Sequence, residues 1–149
     1  MPLLLIIVPT KAMLYPEHIL GDQVEDSLAA LYHPDEAELV EQLVKAGIDV
    51  QDLTDGMMSM KTQPLKFKYS IFFPSDSHWT PETMQVFARS LAAYIRKAYP
   101  AAAAPAPLET SARVHAEHSL GDQVQRLRLS HPTPLFAPES VDLVTLLGT

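Results

Sequence analysis

An aspartate and a histidine two residues apart, Asp76 and His78 in the stretch "FFPSDSHWTPE", have the types and spacing in this sequence that best suit chemistry. A carboxylate beside an imidazole fixes which ring nitrogen carries the proton and stabilises the imidazolium. The other nitrogen is then left to take a proton from a nucleophile. The pair falls between an apolar, strand-like run and a helix start, and α/β sheets present their sites beyond the carboxyl ends of strands. Taken alone the spacing is a weak signal, because a histidine at a helix entrance is commonly a solvated or capping residue. Trp79, the single tryptophan, is by type more often a packing anchor than a platform for a ligand.

The elements that must position the pair follow from periodicity and caps. Residues 3–8, "LLLIIV", form an unbroken apolar run ended by Pro9, which predicts a strand buried on both faces of a parallel sheet. Pro34 opens a helix with Asp35, Glu36 and Glu38 in its first turn, Leu39, Val40, Leu43 and Val44 on one face, and Gly47 as its stop. "IDVQDLT" reads as a short strand, and residues 54–60 as a loop or a turn of helix. "FKYSIFF" predicts a strand running into the Asp-Ser-His triplet. Thr80 then caps a helix with Pro81 at its first position and Glu82 next, and Met84, Phe87, Ala88, Leu91 and Ile95 recur at helical spacing. "YPAAAAPAPLET" breaks that helix and reads as an extended Pro/Ala connection at about residues 100–109. A short helix over residues 120–129, a Pro-rich loop "HPTPLFAPES" and a buried strand "VDLVTLLG" complete the pattern. Strands alternating with helices predict an α/β sandwich around a parallel sheet.

Composition narrows the function classes. The 149 residues, 47% of them hydrophobic, suffice for one domain with one core. With 11 basic against 18 acidic side chains the net charge is -7, which makes a phosphate-neutralising surface a poor expectation, so no nucleic acid partner is expected. No apolar run approaches the roughly 20 residues of a spanning helix, and "MPLLLIIVP" lacks the basic start and cleavage site of a signal peptide. With no cysteine, disulfides, thiolate nucleophiles and cysteine-bound metal all drop out.

Two segments echo each other: "EHILGDQV" from Glu17 and "EHSLGDQV" from Glu117 agree at seven of eight positions, without similarity in the flanks. The plain reading is a reused helix start punctuated by Gly-Asp. The sharper one, a metal site shared by His18 and His118, lacks the ligand spacing of known sites.

"LLLIIVPTKAMLYPEHI", "AGIDVQDLT" with "KTQPLKFKYSIFFPSDSHWTPETMQVFARSLAAYI", and "LGDQVQRLRLSHPTPLFAPESVDLVTLLGT" resemble, in that order, the SGNH-hydrolase-like domain of the alginate O-acetyltransferases of the AlgX/AlgJ type. The resemblance implies a three-layer α/β/α sandwich, here incomplete at both ends, and a Pro-Thr-Lys turn after the first strand, matched by Pro9-Thr10-Lys11. It implies that Asp76 and His78 are the orienting and base members of a Ser-His-Asp triad. It matches a Gly-Asp helix start to Gly121-Asp122, and it makes Lys11 and Trp79 candidates for contact with substrate. The nucleophilic serine of the resembling family follows a late strand and Gly-Thr or Gly-Asp. Here "VDLVTLLGT" ends at Gly148-Thr149 and no serine follows. Ser75, Ser77, Ser119 and Ser140 do not stand after such a strand, so none of them is assigned the role.

The expectation is therefore a partial O-acetyltransferase domain, a fragment of a larger protein, inactive by itself. Its implied partners are a polysaccharide acceptor such as alginate, an acetyl donor and other exopolysaccharide-assembly proteins, in the periplasm; no cofactor and no metal are expected. Lys61, Lys66 and Lys68 are either solvated edge lysines or a bias towards an anionic polymer. Two other readings stand beside this one: a noncatalytic polysaccharide-binding or scaffold module that has lost the nucleophile, and a metal site built from Asp76, His78 and another histidine.

Overall fold

A computed structural model of the chain describes residues 3–21, 29–63, 70–100, 110–128 and 136–148. They form two compact units that divide between Ile71 and Phe72.

In the first unit β1 (Leu4–Ile7) pairs in parallel with β2 (Asp49–Asp52), Leu4 opposite Asp49 and Ile7 opposite Asp52. A parallel pair needs a crossover, and this one carries α1 (Lys11–Leu14), α2 (Glu17–Leu20) and α3 (Glu36–Lys45). Pro9 is fully buried after β1, and Thr10 caps α1 by accepting a hydrogen bond from the Met13 amide at 3.3 Å, so the Pro-Thr-Lys turn is a helix start with Lys11 as its first residue. The α3 helix has the expected acidic first turn, and Lys45 makes its last turn basic. The chain then leaves through Gly47 at φ +80°, a backbone that favours glycine. Asp52 accepts from the Thr54 amide at 2.8 Å and hydroxyl at 2.6 Å, which starts α4 (Thr54–Thr62). This helix is longer than the loop or single turn expected, and its Met57, Met58 and Met60 are buried, as are Leu14, Leu53 and Ile71.

Two expectations change here. Leu5 and Ile6 are each 38% exposed and Val8 45%, so β1 is not buried on both faces: among the described residues it has one strand partner, and a two-stranded sheet leaves apolar surface uncovered. Lys61 is neither a solvated edge lysine nor available to a polymer. Its ammonium donates to the Leu14 carbonyl at 2.6 Å, pairs with Glu17 at 2.8 Å and lies 4.8 Å from the centre of the Tyr15 ring. Burial raises the Glu17 carboxyl pKa, but the hydrogen bond and charge of Lys61 outweigh it and the net shift is downward. Lys66 and Lys68 lie outside the described residues.

In the second unit Phe72 and Trp79 form an antiparallel bridge that closes a loop carrying the triplet. Part of the expected "FKYSIFF" strand, residues 67–69, lies outside the described residues. Thr80 caps α5 (Pro81–Ala98) through the Thr83 amide, with Pro81 at the first turn and Arg96 and Lys97 at the last, and buries Thr83 and Phe87. A ten-residue strand, β3 (Thr110–Ser119), follows where only the tail of an extended connection was expected; residues 101–109 lie outside the described residues. After α6 (Asp122–Arg126), β4 (Glu139–Gly148) pairs with β3 in antiparallel register, Thr110 opposite Gly148 and Ser119 opposite Glu139. The late strand is therefore present, but its partner is antiparallel: the chain reverses through α6 and runs back along β3. The described residues form an α/β arrangement with two small sheets, one parallel and one antiparallel, and alone they do not build a parallel three-layer sandwich.

Candidate active site

The triplet sits on the loop between Phe72 and Trp79. The Phe73 amide donates to the His78 carbonyl at 3.2 Å and the Asp76 amide to the Phe73 carbonyl at 3.4 Å, which turns the chain tightly enough to bring the carboxylate back over the following histidine. Asp76 Oδ1 lies 2.5 Å from His78 Nδ1 and also accepts from the His78 amide at 2.9 Å. A carboxylate in that position selects the Nδ1–H tautomer, which makes Nε2 the basic atom. The His78 side chain is 73% exposed, so Nε2 is open to a reacting group, whereas Asp76 is only 18% exposed. Partial burial raises the Asp76 pKa; the His78 amide and ring, the Asp122 amide and the charge of His78 more than reverse this, and the carboxyl falls to about 2. It is an anion throughout the physiological range.

The Asp76–His78 pair, with Phe73, Glu117, Ser119 and Val141, lines a cleft of about 250 Å³. Trp79 follows directly but stacks its ring on Phe87, with centroids 6.3 Å apart, so packing is a role the structure gives it. Lys11 belongs to the first unit, at the head of α1.

Three residues that the sequence reading did not place at the site hold the loop. Asp122 accepts from the Ser77 amide with Oδ1 and from the Ser77 hydroxyl with Oδ2, both at 2.7 Å, and its own amide donates to Asp76 Oδ2 at 2.9 Å. Glu139, the first residue of β4, accepts from the Ser75 amide at 2.7 Å. Gly121 has φ +75°, and a Cβ there would stand 2.1 Å from the Ser75 carbonyl oxygen, so the two backbones meet where only glycine fits. The Gly-Asp echo was the available signal for Gly121 and Asp122; nothing local marks Glu139.

Among the described residues, the metal-ligand atoms that converge within 4.8 Å of one another are those of Asp76, His78 and Asp122. No second histidine joins them: His18 stacks on Tyr15 in the first unit. Their carboxylate oxygens already accept the hydrogen bonds described above, so the cluster is ordered as a hydrogen-bonded network.

An Asp–His pair lining a cleft on an α/β framework has the residue types of two of the three members of a Ser-His-Asp triad. Residues 1–146 match the family described as "SGNH hydrolase-like domain, acetyltransferase AlgX", and the chain belongs to that family. It is 38% identical over 136 residues to a probable alginate O-acetylase AlgJ of Pseudomonas syringae pv. tomato, covering 91% of this chain and 31% of that protein. A second probable alginate O-acetylase AlgJ, of Pseudomonas aeruginosa, is 33% identical over 97 residues, 65% of this chain and 22% of that one. The solved O-acetyltransferase domain of Pseudomonas putida AlgJ superposes with a TM-score of 0.68 at 25% identity, over 99% of this chain and 49% of that one. The chain thus spans about a third or less of the length of the curated relatives it matches.

Proposed function

We propose that this chain is the Asp- and His-bearing part of an O-acetyltransferase domain that moves acetyl groups onto an exopolysaccharide such as alginate. The observation that carries the reading is the contact of Asp76 with His78 Nδ1, with the far side of the ring exposed at the cleft. In the reaction His78 Nε2 takes the proton of a serine hydroxyl as the serine oxygen bonds to the carbonyl carbon of an acetyl ester, and Asp76 stabilises the imidazolium. The leaving group departs with the proton and an acetyl-serine remains. A sugar hydroxyl then gives its proton to His78 and attacks the acetyl carbon, and the serine oxygen recovers the proton. The serine is assigned to a position shortly after Gly148-Thr149, at the end of β4. By the same reading, β1 and β2 belong to the mostly parallel sheet of a three-layer sandwich, and the domain works in the periplasm beside other exopolysaccharide-assembly proteins. The names of its relatives support acetyl transfer; a noncatalytic binding module has no comparable support.

The test is hydrolysis of a chromogenic acetate ester and transfer to alginate oligosaccharides. The 149-residue chain should show no turnover. The same protein extended by the residues its gene encodes after Thr149 should turn over, and His78→Ala should then lower kcat by roughly 10⁴-fold or more. Turnover by the 149-residue chain that His78→Ala abolishes would mean that the nucleophile has been misassigned.

A further inference from the structure

Asp122 stands outside the pair that would exchange protons, yet it grips two consecutive residues of the triplet. Its carboxylate takes both donors of Ser77, at 2.7 Å each, and its amide takes Asp76 Oδ2 at 2.9 Å. That last bond sorts the two oxygens of Asp76. A carboxylate free to rotate about its terminal torsion would offer either oxygen to the ring; with Oδ2 held by the Asp122 amide, Oδ1 is the oxygen that faces His78. The side chain of Asp122 is 25% exposed, with Arg126 3.5 Å away one turn along α6. Charge-assisted bonds of this length are the strong ones.

The backbone shows the same device from the other side. Gly121 lies so close to Ser75 and Asp76 that a Cβ would meet the Ser75 carbonyl oxygen at 2.1 Å and the Asp76 amide nitrogen at 3.0 Å. Its twin in the first Gly-Asp segment, Gly21, also has positive φ, but among the described residues a Cβ there would meet nothing within 4 Å. Among the described residues the close approach belongs to the second copy, where there is an Asp–His pair to hold.

We propose that Asp122 is a positioning residue for the Asp76–His78 pair: by clamping Ser77 and orienting the Asp76 carboxylate it keeps Oδ1 on His78 Nδ1 and the histidine in its Nδ1–H tautomer. This deepens the acyl-transfer reading and rests on it for its purpose, but its test needs no turnover. In the 149-residue chain the Nδ1 proton of His78 is followed by NMR, assigned by its loss in His78→Ala, together with the ring ¹⁵N shifts that report the tautomer.

Wild type should show a downfield proton that exchanges slowly with water. Asp122→Ala keeps the backbone amide that holds Asp76 Oδ2 but releases Ser77, and the loosened loop should speed that exchange at least tenfold and mix the tautomers. Asp122→Asn keeps an acceptor for the Ser77 amide, and Ser77→Ala removes only the hydroxyl, so both should give intermediate rates. Thermal unfolding of each variant separates the clamp from simple fold maintenance, because a purely structural Asp122 would lower the melting temperature while folded molecules kept the wild-type proton signal. If Asp122→Ala does not fold, the other two variants decide. Wild-type exchange and tautomer in both Asp122→Asn and Ser77→Ala would overturn the proposal. Loss of the clamp signal with acetyl transfer never observed in the extended protein would instead leave the positioning intact and remove the acyl-transfer reading.

Discussion

Asp76 is held as an anion by hydrogen bonds that its protonated form could not all keep, and this links its ionisation to folding. Burial opposes the charge, but the bonds from the His78 amide and ring and the Asp122 amide prevail and lower the pKa from 3.8 to about 2. A carboxyl whose folded pKa is depressed adds stability that is fully present above its unfolded value and is lost as pH falls through its folded value. The window is therefore from about pH 4 down to about pH 2. Comparing Asp76→Asn with wild type by circular dichroism, the variant should melt lower at pH 6, and the gap should close steadily below pH 4 and vanish only below pH 2. A gap independent of pH would mean that the bonds do not depend on the charge. The Asp–His contact was legible in the sequence because the two residues are two apart and a tight loop suffices to join them. Asp122 and Glu139 were not, because the bonds they make to Asp76 and Ser75 span 46 and 64 residues, and only the fold brings them there.

At the scale of elements, the loop is pinned from two directions, by α6 through Gly121 and Asp122 and by the first residue of β4 through Glu139. Gly121 is the position with the least tolerance. Alanine at φ +75°, ψ +153° stands in a backbone region essentially reserved for glycine, at a cost of about 1–3 kcal/mol, and the overlap with the Ser75 carbonyl then forces the segment away from the loop. Gly121→Ala should therefore destabilise the chain by roughly 2 kcal/mol or more in urea unfolding. Gly21→Ala, where a Cβ meets nothing within 4 Å among the described residues, should show only that backbone cost and so a smaller loss than Gly121→Ala. Equal effects would show that the contact with Ser75 matters little. Helices α3 and α5 were readable because a proline at the start, first-turn acids and apolar residues at helical spacing are local signals. Strand β3 was not: "TSARVHAEHS" mixes charges and histidines into a weak alternation, and its strand state comes from ten-residue pairing with β4 rather than from its own pattern. In α4 and its N-cap the buried Leu53, Met57 and Met60 stand at the i, i+4, i+7 spacing of a helix, a signal too short and too interrupted by Gly56 to stand out in the sequence.

At the scale of the molecule, two properties oppose each other. The net charge of -7 keeps chains apart, while Leu3, Leu5, Ile6 and Val8 expose apolar side chains along β1, which has one strand partner among the described residues. An apolar edge strand is a template for pairing with another chain, and a charged side chain on it is a common protection. Here the strand itself carries no charge, so the protection has to come from the repulsion of the whole molecule, which salt screens over about 8–10 Å at physiological ionic strength. Self-association should therefore strengthen as salt rises, the reverse of an assembly held by ion pairs. In sedimentation velocity, wild type at low salt should sediment near its 16.5 kDa monomer, with the weight-average mass growing with both concentration and added NaCl. Ile6→Lys replaces a 38% exposed apolar side chain by a charged one and should hold the mass at the monomer value with little loss of melting temperature. Association that weakens with salt, or that persists unchanged in Ile6→Lys, would place the contact somewhere other than β1.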